Sequence, residues 1–558
     1  MGLRASVAII LLGPLLAGGC GQRRTEEAKT QALEDVVAGN YAAAEATIDD
    51  IYKCLPDGSG AGQEKHGILW CMERGAIAFM DARYAEAESF LRRSGQQAET
   101  HRSKHLSRVV ASSSVANETV RPYDGEHYEN VFAQYLRGLA FLQQAQIADG
   151  SVILAGGGNV PALAPVETGS DGVDPLAAYQ NATNVMRGAT ESTLRHVVQN
   201  AEGDQAYRED PFVRLICGAV VLANPHRDGT ELQGAVAQFQ RAVQGYREQR
   251  ESLRGRRKLR YEVDTLPPAL AVLGARACAA YDSEVHERFL AELGPAAEQV
   301  RELPEGHGSL LLVNHADFAA RRWTLDINLM AISNPSAARI RRRNPDAVIY
   351  GGFVFWANGP GWATINETLG GFPVPDGLAK ILAPGGLNIL GIAIPAHEPD
   401  RRAPEPARVV CVAENGSSTE RRCVIASDLD AFARATLYEN LPRYVVRALA
   451  RVVAKNLPFV VAAREQAKDG NKGGAFLTNL FGGLTARLSE VADTRCWTTL
   501  PARTETALLD LPAGTYTVQV CTPAGTLTPA RVEIRPGRLV ILPVNSFVEP
   551  GVVVDADS

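Results

Sequence analysis

The chain has 558 residues, enough for two to four domains and a sizeable buried core. Its 46% hydrophobic and 22% charged residues fit a folded globular protein, and its net charge of −6 argues against a general nucleic-acid binder, which would be basic. No motif calls for a cofactor or a metal.

The first stretch carries an address. Arg4 precedes an apolar run from Val7 to Leu16, then Ala17, Gly18, Gly19 and Cys20. The run is shorter than the ~20 residues a spanning helix needs, and it fits a secretory signal over residues 1–19. A cysteine directly after that site resembles a bacterial lipobox, in which Cys20 becomes the lipid-modified first residue. The alternative is an ordinary signal with an incidental cysteine. Gly21, in place of an aspartate, resembles outer-membrane sorting. The predicted location is the cell envelope, on the periplasmic face of the outer membrane, with the lipid as the membrane contact. Residues 20–30 read as the tether.

Residues 31–300 are predicted helical. ALEDVVAGNYAAAEATIDDIY spaces small and apolar residues by three and four, with a turn at Gly39-Asn40. The design repeats in GILWCMERGAIAFMDARYAEAESFLRR, so Tyr41 and Tyr84 occupy corresponding places 43 residues apart. This resembles tetratricopeptide helix pairs, in which small residues let helices cross closely and an aromatic fills the gap. Further helices are predicted for 126–146, 175–200, 211–222, 232–253 and 268–293. A Gly/Ala/Pro-rich loop spans 151–174, and a basic run, Arg254 to Arg260, closes the last repeat or solvates a helix end.

The pattern changes near Pro304. SLLLVNHADF, AVIYGGFVFW, LNILGIAIPAH and RVVCVA read as strands, and 351–391 holds ten glycines. A long helix is predicted from Asp428 to Lys468 and a short one from Leu477 to Val491. After them, strand-like runs alternate with turns at 512–514, 523–525 and 536–537. The expected class is α+β: a tetratricopeptide-like solenoid, a mixed α/β domain over 301–492, and a β-rich segment over 493–558 forming a small sheet or sandwich.

Eight cysteines follow Cys20. Neighbour pairing would join Cys54 to Cys71, Cys217 to Cys278, Cys411 to Cys423 and Cys496 to Cys521, among 105 connectivities. The 411–423 bridge is the favoured one, because RVVCVA and RRCVIA flank the turn-forming ENGSS.

Several segments resemble a family of uncharacterised bacterial envelope lipoproteins. YDGEHYENVFAQYLRGLAFLQ is similar to its Tyr-x-Gly-x-x-Tyr-Glu helix and DPFVRLICGAVV to its Asn-Pro-Phe helix start. GIAIPAH resembles its isoleucine-proline strand, and DTRCWTTLPARTE with LPAGTYTVQV its main signature. Where the family tends to carry Gly-x-Pro, this chain has NHADFAARR. The resemblance implies tetratricopeptide-like helices in front, a mixed α/β half behind, no established activity, and a link to envelope or cell-wall assembly.

Chemistry, if present, is expected at His315 and Asp317, which share a strand face, with His397 as a third ligand or partner. No HExxH, phosphate loop or GxSxG elbow occurs. Two features suit binding instead. Arg443, Arg447, Arg451 and Lys455 recur every four residues as a basic stripe, or simply as a solvated helix face. Arg495 and Trp497 have anchor-residue chemistry, or else Trp497 ties the C-terminal sheet to the long helix. The expected function is protein–protein scaffolding with other envelope proteins. The helical half would offer it a concave surface. The alternatives are a hydrolase of an envelope polymer using His315, Asp317 and His397, and a purely structural lipoprotein.

Overall fold

The computed structural model describes residues 24–57, 59–108, 122–154, 172–199, 207, 210–254, 259–332, 348–350, 353–357, 387–398, 405–488, 492–523 and 525–547. The leader, Cys20, most of 351–391 and much of the 151–174 loop lie outside them.

Helices fill the first part of the chain and sheets most of the second, as the α+β expectation requires. Helix α1 (24–37) ends at Gly39, whose φ of 77° closes the turn. Then come α2 (Tyr41–Tyr52), α3 (Gln63–Met80), α4 (Tyr84–Arg108) and α5 (His127–Ala148). After a short strand, β1 (Val152–Leu154), follow α6 (Pro175–Gln199), α7 (Pro211–Ala223), α8 (Gly229–Arg254), α9 (Pro268–Tyr281) and α10 (Ser283–Leu293). Tyr41 and Tyr84 both open a helix, so the 43-residue correspondence is structural. Each helix from α2 onward packs against the next. The inner helices α3, α5, α7 and α9 are buried over most of their residues; α7 and α9 are largely apolar, whereas α3 and α5 also bury polar side chains, Glu73 and Glu129 among them. A Cβ at Gly218 on α7 would lie 2.7 Å from the Phe239 ring of α8, so glycine sets that crossing distance.

The second part contributes β2 (His307–Phe318), β3 (Arg322–Ile332), β4 (Val348–Tyr350), β5 (Phe353–Ala357) and β6 (Leu387–His397). Next are β7 (Arg408–Ala413), β8 (Ser418–Arg422), β9 (Val424–Asp428), and the helices α11 (Leu429–Lys468) and α12 (Lys472–Leu488). The strands β10 (Pro501–Pro512), β11 (Gly514–Thr522), β12 (Gly525–Ile534) and β13 (Leu539–Ser546) complete the described elements. They form three sheets, ordered β1-β12-β11-β7-β8, β13-β2-β10-β9 and β4-β5-β3-β6.

The sheet β13-β2-β10-β9 is the middle layer. Leu311, Val313, Leu508 and Ile541 join the core under the helices, whereas Leu310, Leu312, Leu509 and Leu542 face the sheet β1-β12-β11-β7-β8. This two-sided burial explains the unbroken apolar run SLLLV, since successive side chains point to opposite faces. Three expectations change. Residues 493–547 are not a separate unit, because β10 and β13 flank β2 while β11 and β12 pair beyond them. The helical half contributes β1 to a sheet of the other half. Finally, the inner face of the helical array is covered by the chain's own sheet, so it is not an open concave surface. Gln143 and Gln146 of α5 show how close the layers are. Both donate to the Ile541 carbonyl, at 2.9 and 2.7 Å, which satisfies the edge strand β13.

The predicted disulfides are absent: all eight cysteines after Cys20 are free thiols. The predicted hairpin does form as β7 and β8, but Cys411 lies opposite Thr419 while Cys423 follows Arg422 beside Ala407. The offset of four residues is about 13 Å, roughly twice the Cα separation a bridge tolerates. Cys496 packs toward the helices, and Cys521 lies in the outer sheet. Cys217 on α7 and Cys278 on α9 are both buried and unbridged. Cys54 and Cys71 are both buried; the Cys54 thiol donates to the Tyr52 carbonyl. Burial pushes Cys71, Cys217, Cys278 and Cys411 up to about 12, which keeps them protonated and unreactive.

Candidate functional site: a buried polar joint

His315 and the DTRCWTTLP segment lie where the helices meet the middle sheet. His315 on β2 is buried beneath α5. Tyr135 donates to its Nε2 at 2.9 Å, and its Nδ1 lies 3.1 Å from Asn545 Oδ1. The rings of Phe79, Phe132 and Tyr135 surround it. Burial pushes the imidazole down to about 4, so it is a neutral hydrogen-bonding core residue near pH 7.

Asp317 does not meet it. Asp317 adopts φ 54°, in the left-handed region, which breaks the strand alternation that would have put both residues on one face. Its carboxylate instead lies 3.8 Å from Arg503 Nη2. His397 ends β6, with Nδ1 2.9 Å from the Ala320 carbonyl and Nε2 3.1 Å from that of Ala433. Burial, aided by Arg322, pushes it down to about 4. The structure therefore does not bring His315, Asp317 and His397 together. Among the described residues, no group of three or more His, Cys, Asp or Glu is placed to hold a metal ion.

The DTRCWTTLP segment is the joint itself. Glu73 of α3, fully buried, accepts from Thr498 N at 2.6 Å, Thr499 N at 3.0 Å and Thr499 Oγ1 at 2.6 Å. Glu129 of α5 accepts from Trp497 N at 2.8 Å, from Glu126 N at 2.7 Å and from the Tyr123 hydroxyl. Two inward carboxylates thus hold three successive residues of the segment. Burial pushes both carboxyls up, against the hydrogen bonds that favour the ionised form.

Trp497 packs against Phe132 of α5, so it ties the C-terminal segment to an inner helix. Arg495 is also buried. It grips Asp493 through Nε and Nη2, at 2.8 and 2.6 Å, and lies over the Tyr123 ring. Neither residue is available as a surface anchor.

The basic stripe splits. Four-residue spacing advances about 40° around a helix at each step, or about 120° over three steps. Arg443 and Arg447 are accordingly exposed, Lys455 is half-buried and Arg451 is buried.

Sequence reasoning missed Glu73, Glu129, Arg503 and Glu505. Glu505 on β10, fully buried, accepts from Arg503 Nε at 2.8 Å, Asn314 Nδ2 at 3.0 Å and Ala407 N at 3.0 Å. Arg503, Asn314, Asp317 and Glu505 line a cleft with about 20 Å³ of free internal volume, room for one water and not for an organic ligand. The only sequence signal was a run of polar residues at the start of an apolar strand. RTET looks like a solvated edge, yet Arg503, Thr504, Glu505 and Thr506 are all buried.

The motif Asp210-Pro211-Phe212 opens α7. Asp210 caps the helix by accepting from Phe212 N at 3.0 Å, and Pro211 takes the first turn. Burial pushes Asp210 up to about 7. Between its unfolded pKa, near 4, and about 7 the folded state holds the extra proton, so stability falls as pH rises through that window. Asp210→Asn keeps a capping oxygen without the charge. The variant is expected to gain on the wild type from pH 4 to 7, by on the order of 1–3 kcal/mol, then level off. Denaturant unfolding of both proteins across that range checks it; a difference independent of pH would contradict it.

No protein-family model matches the chain, nor does any curated protein or solved structure.

Proposed function

We propose that the protein is a lipid-anchored component of a bacterial cell envelope that works as an interaction scaffold. On this reading its first part is built from tetratricopeptide-type helix pairs, and it belongs with the envelope lipoproteins that its signature segments resemble. One observation carries the scaffold reading: the candidate catalytic residues and the buried carboxylates are spent on separate internal contacts, His315, Glu73 and Glu129 between the helices and the C-terminal strands, Asp317 and Glu505 on Arg503, and His397 on the Ala320 and Ala433 carbonyls. His315 is a neutral core residue, and Glu73, Glu129 and Glu505 are saturated with internal donors. The hydrolase alternative needs His315, Asp317 and His397 in one cleft, and each of them has a different set of neighbours.

Since the inner helical face is covered, partners must meet outer surfaces. Two measurements test the proposal. Mass spectrometry of the mature chain should find acyl groups on Cys20; an unmodified Cys20 would remove the anchor. Chemical cross-linking in the native envelope should capture discrete partner proteins, unchanged in His315→Gln and His397→Gln variants. No protein adducts at all would defeat scaffolding and leave the purely structural reading.

A further inference from the structure

The long helix α11 and its partner α12 form a hairpin against β6. Residues 429–488 contain nine Arg and Lys against four Asp and Glu, a net +5 in a chain whose total is −6. Charge is therefore concentrated here against the sign of the rest.

The arrangement within α11 is more specific. Val445, Ala448, Val452, Val460 and Ala463 are buried against the molecule. On the opposite side Arg443, Val446, Leu457, Val461, Arg464 and Lys468 are exposed. At 100° per residue these six fall within an arc of about 60°, so basic and aliphatic side chains share one solvent-facing stripe. Val446, Leu457 and Val461 are 54%, 51% and 48% exposed. On α12, Leu477 and Phe481 add 51% and 61% exposure. A solvated helix face has no reason to show large apolar side chains beside nearly every charge.

We propose that this hairpin lies on a bilayer surface bearing anionic headgroups. Such a setting satisfies both chemistries of the α11 stripe at one depth. Aliphatic and phenyl groups sink to the acyl boundary, while Arg and Lys extend their stems and keep their charges at the phosphates. No helix among the described residues is long and apolar enough to cross a membrane, so the contact is interfacial. The chain also places the hairpin near its own start. Arg321 donates to Thr30 Oγ1 of α1 and to Glu398 Oε1, both at 2.7 Å, and Arg434 of α11 donates to the Glu398 carbonyl at 2.8 Å. The beginning of α11 is thereby linked to α1, which starts at residue 24 and so takes up most of the stretch expected as tether. The inference builds on the envelope reading but uses different atoms from the lipid on Cys20.

Every described contact lies within residues 24–547, so a chain starting at Gly21 retains the whole described fold and carries no lipid. Flotation of that chain with vesicles of phosphatidylglycerol and phosphatidylethanolamine, against vesicles of phosphatidylcholine alone, isolates the hairpin. Binding to the anionic vesicles should be at least roughly tenfold stronger and should weaken as salt rises. Arg464→Glu with Lys468→Glu, or Leu477→Ser with Phe481→Ser, should each lower it at least about fivefold, with the unfolding midpoint unchanged because all four residues are exposed. Equal binding to both vesicle types, or retention by both variants, would overturn the proposal. So would a dimer in solution that Leu477→Ser with Phe481→Ser dissolves, since it would make a second copy the occupant. Absence of acyl groups on Cys20 would defeat the anchor reading and leave this result standing.

Discussion

Replacing Glu73 by alanine is expected to lower the stability of the protein by roughly 3–5 kcal/mol, the cost of leaving buried polar groups without their charged partner. The carboxylate sits in α3, fully buried, and receives two backbone amides and one hydroxyl from Thr498 and Thr499. Alanine leaves all three donors facing an apolar interior that water does not reach. Glutamine keeps one acceptor oxygen but turns an amide NH₂ toward the remaining donors, so Glu73→Gln should lose less, about 1–3 kcal/mol. Denaturant unfolding of the three proteins orders them wild type, Gln, Ala. A loss below about 1 kcal/mol for alanine would mean that the segment is not held by this carboxylate.

The second large effect belongs to Glu505. Its removal takes away the closest partner of the buried Arg503 guanidinium, which keeps Asp317 and Glu262 at 3.8 Å, and the acceptor of Asn314 Nδ2 and Ala407 N. Glu505→Ala is therefore expected to cost about 3–5 kcal/mol, as for other buried pairs broken on one side. Replacing both partners with apolar residues of similar volume, Arg503→Met with Glu505→Leu, should recover part of that loss, because the closest buried pair is then removed on both sides and only the 3.8 Å contacts of Arg503 to Asp317 and Glu262 are given up. Losses of Arg503→Met and Glu505→Leu alone that sum to the loss of the double variant would show that the two side chains do not act as a pair.

Much of the fold was legible in the sequence because it was written in periodicity and turn chemistry. Gly39-Asn40 and Asp81-Ala82-Arg83 end helices where they were expected to, with Gly39 and Ala82 at positive φ. Asp428 caps α11, whose forty residues match the predicted 428–468 span. The turns at 512–514, 523–525 and 536–537 each separate strands.

What escaped was register and side-chain direction. The hairpin around Gly416 was visible, but its offset, which keeps Cys411 and Cys423 apart, depends on which carbonyl the Cys423 amide meets. The shared face of His315 and Asp317 held only for a regular strand, and one left-handed residue cancelled it. The joint itself was half legible. The Trp-containing segment stood out by composition, but its acceptors, Glu73 and Glu129, lie 425 and 368 residues away in apolar helices where a lone acid looks like a surface position. Pairing across such distances leaves no local pattern.

The central claim is that the DTRCWTTLP segment is a buried joint between the helices and the sheet, and not an open site. Hydrogen exchange at the amides of Trp497, Thr498 and Thr499 tests it most directly, because all three donate to the buried carboxylates. They should exchange only with the slowest amides of α3 and α5, through global opening. Exchange at the rate of surface loops, while α3 and α5 stay protected, would contradict it.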